Sequence, residues 1–140
     1  MTQFSAPALL AARVLLSLIF ILSGFQKITG YSGTVGYMEA MGVPGILLPL
    51  AILTELGGGL AILVGYQTRI ASILLAGFTV IAGYLFHYAA ITGTDAMADM
   101  MQQIMFMKNV TIAGGFLALF VSGAGAWSLD ARSGRALATA

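Results

Sequence analysis

Apolar residues run along this chain in blocks about 20 residues long, interrupted by polar residues sparse enough to be weighed singly. Blocks of that length are what a helix needs to cross the hydrocarbon core of a bilayer. Four fit, at 8–28, 46–65, 70–90 and 108–125. Pro44 and Pro49 stand at the start of the second, where a missing backbone donor does least harm. Gly30, Gly33, Gly36 and Gly42 predict a broken loop after the first block, and residues 65–67 predict a tight turn after the second. The connection 92–107 is longer. Met97, Met100, Met101 and Ile104 recur there at helical spacing, which predicts a short interfacial helix.

Helical projection gives each span a polar stripe. On the first, Arg13, Ser17, Phe20, Gly24 and Lys27 share a face, with Leu15, Leu18, Leu22 and Phe25 opposite. On the second, Glu55 lies beside Ala51, Gly58 and Gly59, with Leu53, Leu60 and Val64 opposite. Arg69, Ala76, Gly83 and His87 align on the third, and Lys108, Thr111, Gly115 and Ser122 on the fourth. Small residues let membrane helices approach closely, and Gly57, Ala61 and Gly65 form such a ladder, which also allows a homo-oligomer. The expected architecture is a single all-α domain over residues 1–140, an integral-membrane antiparallel four-helix bundle with polar residues turned inward.

Composition fits a lipid-embedded chain and excludes much else. The apolar fraction is 59% of 140 residues and mean hydropathy is +0.97, above the roughly 45–50% apolar usage of soluble domains. The net charge of +1 comes without any basic run, so nucleic acid is not a partner. Residues 1–7 carry no Lys or Arg, so the first block reads as a permanent span rather than a leader. Arg69, Arg132 and Arg135, opposed by Asp130, mark one side. Glu39, Asp95 and Asp99, with Lys27 and Lys108 at the boundary, mark the other. The positive-inside rule then puts both termini in the cytoplasm. With no cysteine and one histidine, the chain alone supplies no disulfide, iron–sulfur cluster or bis-histidine haem, and no metal site is expected. No Glu-x-x-His pair, nucleotide-binding glycine motif or metalloprotease motif occurs.

The informative residues are the charges inside the spans. An ionised group at mid-bilayer costs about 2.5–3.5 kcal/mol on insertion scales, so it is expected to face a partner or a wet cavity. Glu55 falls near mid-plane. Arg13 lies about two turns in from the end of the first span, and either Arg13 or the outward pair Lys27 and Lys108 can meet Glu55. The plain structural reading is a buried ion pair of Glu55 with Arg13 fixing helix register, with His87 hydrogen-bonded beside Tyr84 and Tyr88 at the interface. In that reading Lys27 and Lys108 snorkel to headgroups, and the methionines act as flexible packing. The functional reading gathers Glu55, His87, Lys108, Asn109, Gln103, Arg13 and Lys27 around a ligand.

Several motifs carry a family likeness. The run from Arg13 to Lys27, then Met41-Gly42-Val43-Pro44, Glu55-Leu56-Gly57-Gly58-Gly59, Gly65-Tyr66-Gln67-Thr68-Arg69, His87, Phe106-Met107-Lys108-Asn109 and Gly114-Gly115 resemble the DoxX family of small bacterial membrane proteins. The resemblance spans residues 8–121 and implies a multi-pass protein of the bacterial inner membrane. It is similar to a four-helix subunit associated with thiosulfate:quinone oxidoreductase, and it implies links to membrane redox or oxidative-stress complexes. Two expectations follow. In one, the chain binds a quinone or a similar hydrophobic redox ligand and holds no cofactor of its own. Glu55 then forms the floor of the pocket, His87 and Lys108 orient the ligand, Asn109 and Gln103 assist, and Arg13 sets the charge state of Glu55. In the other, the chain is a non-enzymatic scaffold that assembles the subunits of a redox complex. A solute or proton pathway is a third, thinner reading, since the chain shows no inverted repeat.

Overall fold

The computed structural model describes residues 5–134, so Arg135 and both chain ends lie outside the described residues. Among the described residues the structure is helical, and four helices are long and apolar enough to cross a membrane. Helix α1 covers Ser5–Thr29 and is followed by α2, Tyr31–Ala40. The second span, Gly45–Val64, is built from a 3-10 turn, α3 (Leu48–Ile52), a π-helical turn (Leu53–Gly57) and α4 (Gly58–Val64). Helix α5 is Thr68–Phe86, α6 is Ala96–Ser122 and the short α7 is Leu129–Arg132.

Two connections differ from the sequence reading. The glycine-rich stretch after the first span forms α2 instead of a broken loop, because Met38 packs with Val43 and Leu48 against Val35, Ile52, Leu85 and Phe86. That tertiary burial outweighs the low helix propensity of glycine. The expected interfacial helix merges with the fourth span into one helix, α6. Asp95 caps its start, accepting from the N–H groups of Met97 and Ala98, and nothing between Ala96 and Lys108 breaks it. Asp99 accepts from Thr92 N and Gly93 N and so holds the preceding loop, which gives these two acids local structural work.

Stripes on the first two spans match the burial. Arg13, Ser17, Phe20 and Gly24 are the buried residues of α1, while Leu15, Leu18, Leu22 and Phe25 are exposed. Glu55 and Gly59 are buried, and Leu53, Leu60 and Val64 are exposed. On α6 the buried face differs: Ala113, Phe116 and Leu119 turn inward, whereas Lys108, Thr111 and Ser122 are exposed. Thr111 satisfies its own hydroxyl by donating to Met107 O at 3.0 Å, so a lipid-facing position leaves it no unpaired group.

Paired contacts set the register between spans. Phe20 and Ile21 lie against Gly59, Gly24 against Leu56, and Lys27 against Glu55. Gly58 packs on Leu75, Gly83 on Asn109, and Gly115 on Leu16. Phe20 meets Phe116 edge-to-face at 5.4 Å in the central cluster with Ile62, Leu75 and Leu119. The ladder of Gly57, Ala61 and Gly65 is not one of these contacts. Gly57 is exposed in the π turn, and Gly65 leaves the helix in the left-handed conformation (φ 69°), buried under Arg13 and Ser128.

Glycines thus divide into contact and non-contact positions, which yields a first expected result. At Gly24 an added Cβ would lie 3.0 Å from Leu56 Cβ and 3.1 Å from its backbone nitrogen, so Gly24→Ala is expected to lower stability by about 1–3 kcal/mol. Gly77 and Gly114 sit mid-helix with nothing within 4 Å of such a Cβ, so Ala there is expected to stabilise by up to about 1 kcal/mol. Unfolding the three variants in mixed micelles measures this. Equal effects at all three would refute the register.

Candidate functional site

The intramembrane charges separate into two clusters. Arg13 is 1% exposed at one end of the helices. Its Nη2 donates to Trp127 O, and Asp130 supplies the neighbouring negative charge. Asp130 accepts from Gln67 N at 2.8 Å and Thr68 N at 2.9 Å, capping α5 from far away in sequence, and its own N–H donates to Gly65 O at 2.8 Å. These bonds hold Gln67 at a positive φ of 48°, which a residue with a Cβ adopts only under such constraint. Gly123 and Gly125, also at positive φ, turn the chain back so that residues 123–132 close over this end. Arg13 thus ties α1 to the returning chain through one hydrogen bond from Nη2 and the nearby charge of Asp130, while its Nε and Nη1 are buried without a hydrogen-bond partner among the described residues.

The second cluster lies toward the other end. Lys27 Nζ is 2.9 Å from Glu55 Oε2 and 3.1 Å from Oε1, and it donates to Ser23 Oγ at 2.6 Å. Of the partners open to Glu55 in the sequence, Lys27 is therefore the one it meets. Glu55 is 6% exposed and stands within the π turn, whose wider coil shifts the face it presents relative to a continuous α-helix. The glycines at 57–59 give this turn the slack that a β-branched run would deny. Lys27 and Glu55 together carry no net charge, which lowers the electrostatic cost of their depth.

A cavity of about 1090 Å³ opens beside this pair, between α1, α2, the second span, α5 and the middle of α6. Ser23, Lys27, Glu55, Thr79, His87 and Asn109 are among its polar lining, which Gln26, Thr34, Thr54 and Gln67 extend, and Phe20, Leu75, Phe78, Leu85 and Phe86 form much of its apolar wall. Apolar walls with a few convergent polar groups, at a volume near or above the roughly 300–1,000 Å³ of small-molecule pockets, are the make-up of a ligand site. His87 caps the end of α5, and its Nδ1 lies 2.8 Å from Gln102 Oε1. With that oxygen as acceptor, Nδ1 donates and Nε2 is left to accept, or to donate when the ring is protonated. Asn109 packs closely against Gly83.

Of the residues singled out in the sequence, Glu55, Lys27, His87 and Asn109 thus meet at the cavity. Arg13 does not line it. Lys108 and Gln103 lie on the exposed side of α6, lining a separate shallow groove with Met100, Ile104 and Met107. Lys108 contacts Met105 Sδ at 3.6 Å. Sequence reasoning passed over Ser23, Gln102 and Thr79. The one-turn spacing of Ser23 and Lys27 was a signal for the first. Gln102 and Thr79 needed the helix register. Among the described residues no group of His, Asp and Glu is arranged to hold a metal.

Four apolar helices, with a charged pair set into a cavity between them, define a small multi-pass membrane protein. The chain belongs to the DoxX family, whose model matches residues 8–88. It is 50% identical over 130 residues to the inner membrane protein YqjF of Escherichia coli (strain K12), covering 93% of this chain and 95% of that one. It is 42% identical over 129 residues to the inner membrane protein YphA of the same organism, covering 89% of each. A shorter match, 33% over 67 residues, links it to a Bacillus subtilis (strain 168) protein named "Putative oxidoreductase CatD", covering 48% of this chain and 50% of that one. No solved structure matches. The chain is a multi-pass protein of the bacterial inner membrane.

Proposed function

We propose that this chain is an inner-membrane subunit that binds a quinone in the cavity beside Lys27 and Glu55, as part of a membrane oxidoreductase or oxidative-stress system. The four spans form an antiparallel bundle with both termini on the cytoplasmic side, so the part of the cavity between Lys27, Glu55 and His87 lies in the outer half of the bilayer. The contact pairs from Arg13 and Gly65 to Lys27 and Glu55 support the antiparallel order, and the positions of Arg69 and Arg132 support the orientation.

The observation that carries the reading is the ion pair in the cavity wall. A neutral, flat, lipid-soluble ligand reaches such a cavity through the bilayer. A quinone carbonyl accepts from Lys27, whose ammonium has three donors for Ser23, Glu55 and the ligand. Glu55 is the group able to take or return a proton beside that carbonyl, and His87, at the end of the cavity, is a second proton carrier. The relative named "Putative oxidoreductase CatD", matching about half of this chain, supports redox work.

Extraction of the protein purified in mild detergent tests this. Mass spectrometry is expected to find a quinone in wild type and at least tenfold less in Glu55→Gln, which keeps the shape but loses the charge. Equal retention by both would refute the role of Glu55. An empty extract from both, with the variant only less stable, would instead favour a scaffold in which the pair merely specifies the bundle.

A further inference from the structure

Thr79 lies on α5, is 3% exposed, lines the cavity, and its hydroxyl makes no hydrogen bond to any described residue. A threonine inside a helix normally donates to a carbonyl one turn back, as Thr54 does to Leu50 O at 2.8 Å and Thr111 to Met107 O at 3.0 Å. Buried hydroxyls without a partner are uncommon because the lost hydration is not replaced. Thr68 and Ser72 on the same helix also lack a partner, but neither lines the cavity.

Helix register puts Thr79 at a telling level. Gly58 packs against Leu75, and both are about two turns from the tight turn that joins their helices. One further turn brings Glu55 on the second span level with Phe78 and Thr79 on α5. The cavity therefore has a charged donor, Lys27, on the α1 side and an unpartnered hydroxyl on the α5 side at the same depth, with apolar walls between them.

The geometry points to Thr79 as the second polar anchor of the ligand, so that the site selects a ring carrying two opposed acceptors over one carrying a single acceptor. One carbonyl accepts from Lys27 and the opposite one from Thr79 Oγ1, whose side chain turns about χ1 to bring the buried hydroxyl to the cavity surface. This rests on the quinone reading and narrows it to a para-quinone, held at both carbonyls before any proton moves.

Calorimetric titration in detergent compares two probes, a decyl naphthoquinone and the tetralone carrying the same chain, which lacks the second carbonyl. Wild type is expected to prefer the naphthoquinone by about 3–10-fold, the range of one hydrogen bond. Thr79→Val should bring that preference to about one by weakening only the naphthoquinone, and Thr79→Ser should keep it. The Val variant removes an unpaired buried hydroxyl, so its melting temperature is expected to hold or rise. A preference that survives in Thr79→Val, or equal weakening of both probes, would overturn the role of Thr79 while leaving the quinone reading intact. If wild type binds neither probe, the quinone reading itself fails.

Discussion

Replacing Arg13 by Leu is expected to lower stability by about 3–5 kcal/mol, the usual loss when one member of a buried charge system is removed. The guanidinium is 1% exposed and binds Trp127 O, and Asp130 beside it is itself buried. Without the cation, the carboxylate keeps its bonds to Gln67 N and Thr68 N but loses its counter-charge. The tail over residues 123–132 then loses its main link to α1. Arg13→Lys is expected to recover only part of the loss, because the shorter ammonium keeps the charge near Asp130 but falls short of Trp127 O. SDS-induced unfolding in mixed micelles, with protease sensitivity of the tail as a second readout, checks both. A loss under about 1 kcal/mol would mean that the tail is held by something else. Since Arg13 does not line the cavity, the folded fraction of Arg13→Leu should still retain ligand.

The second large effect belongs to the pair in the cavity. Lys27→Met leaves Glu55 as an uncompensated carboxylate in an apolar bundle and is expected to cost about 2–4 kcal/mol, somewhat below the fully buried case because the Lys27 side chain is 26% exposed. The double variant Lys27→Met/Glu55→Met is expected to return to within about 1 kcal/mol of wild type, since apolar residues of similar volume replace a pair whose desolvation offsets much of its attraction. The coupling is read from a double-mutant cycle. Stability and ligand retention should then part company: the double variant is stable but empty. A double variant that fell as far as the single one would show that the pair is a structural necessity.

Together these outcomes would separate the two charge clusters by function. One fastens the ends of α1, the second span and α5 to the tail and tolerates no opening. The other is set in a cavity wall, joined by a single lysine and a serine, and can exchange partners with an incoming acceptor.

Much of this was legible in the sequence because lipid imposes simple rules. Every span must be helical and apolar for about 20 residues, so the four blocks were visible at once. On α1 and the second span, polar and small residues fall on one face, so Phe20, Gly24, Glu55 and Gly59 could be assigned inward and Leu15, Leu22, Leu53 and Leu60 outward. Charge depth likewise marked Glu55 and Arg13 as residues needing partners. Tertiary structure decided which partners those were. Lys27 and Arg13 both lie on the inner face of α1, and only the offset set by Gly24 on Leu56 and Gly59 on Phe20 chooses Lys27 for Glu55. Asp130 reaches the start of α5, with its charge near Arg13, through a backward turn at Gly123 and Gly125 that no periodicity announces. On α6 the polar stripe misled, because Thr111 can bond its own backbone and Lys108 can sit at the surface, while the buried face is made by Ala113, Phe116 and Leu119. Hydropathy fixes which segments lie in the bilayer. Which side chains meet inside depends on angstrom-scale offsets between helices, and those arise only when small residues and large ones pack together.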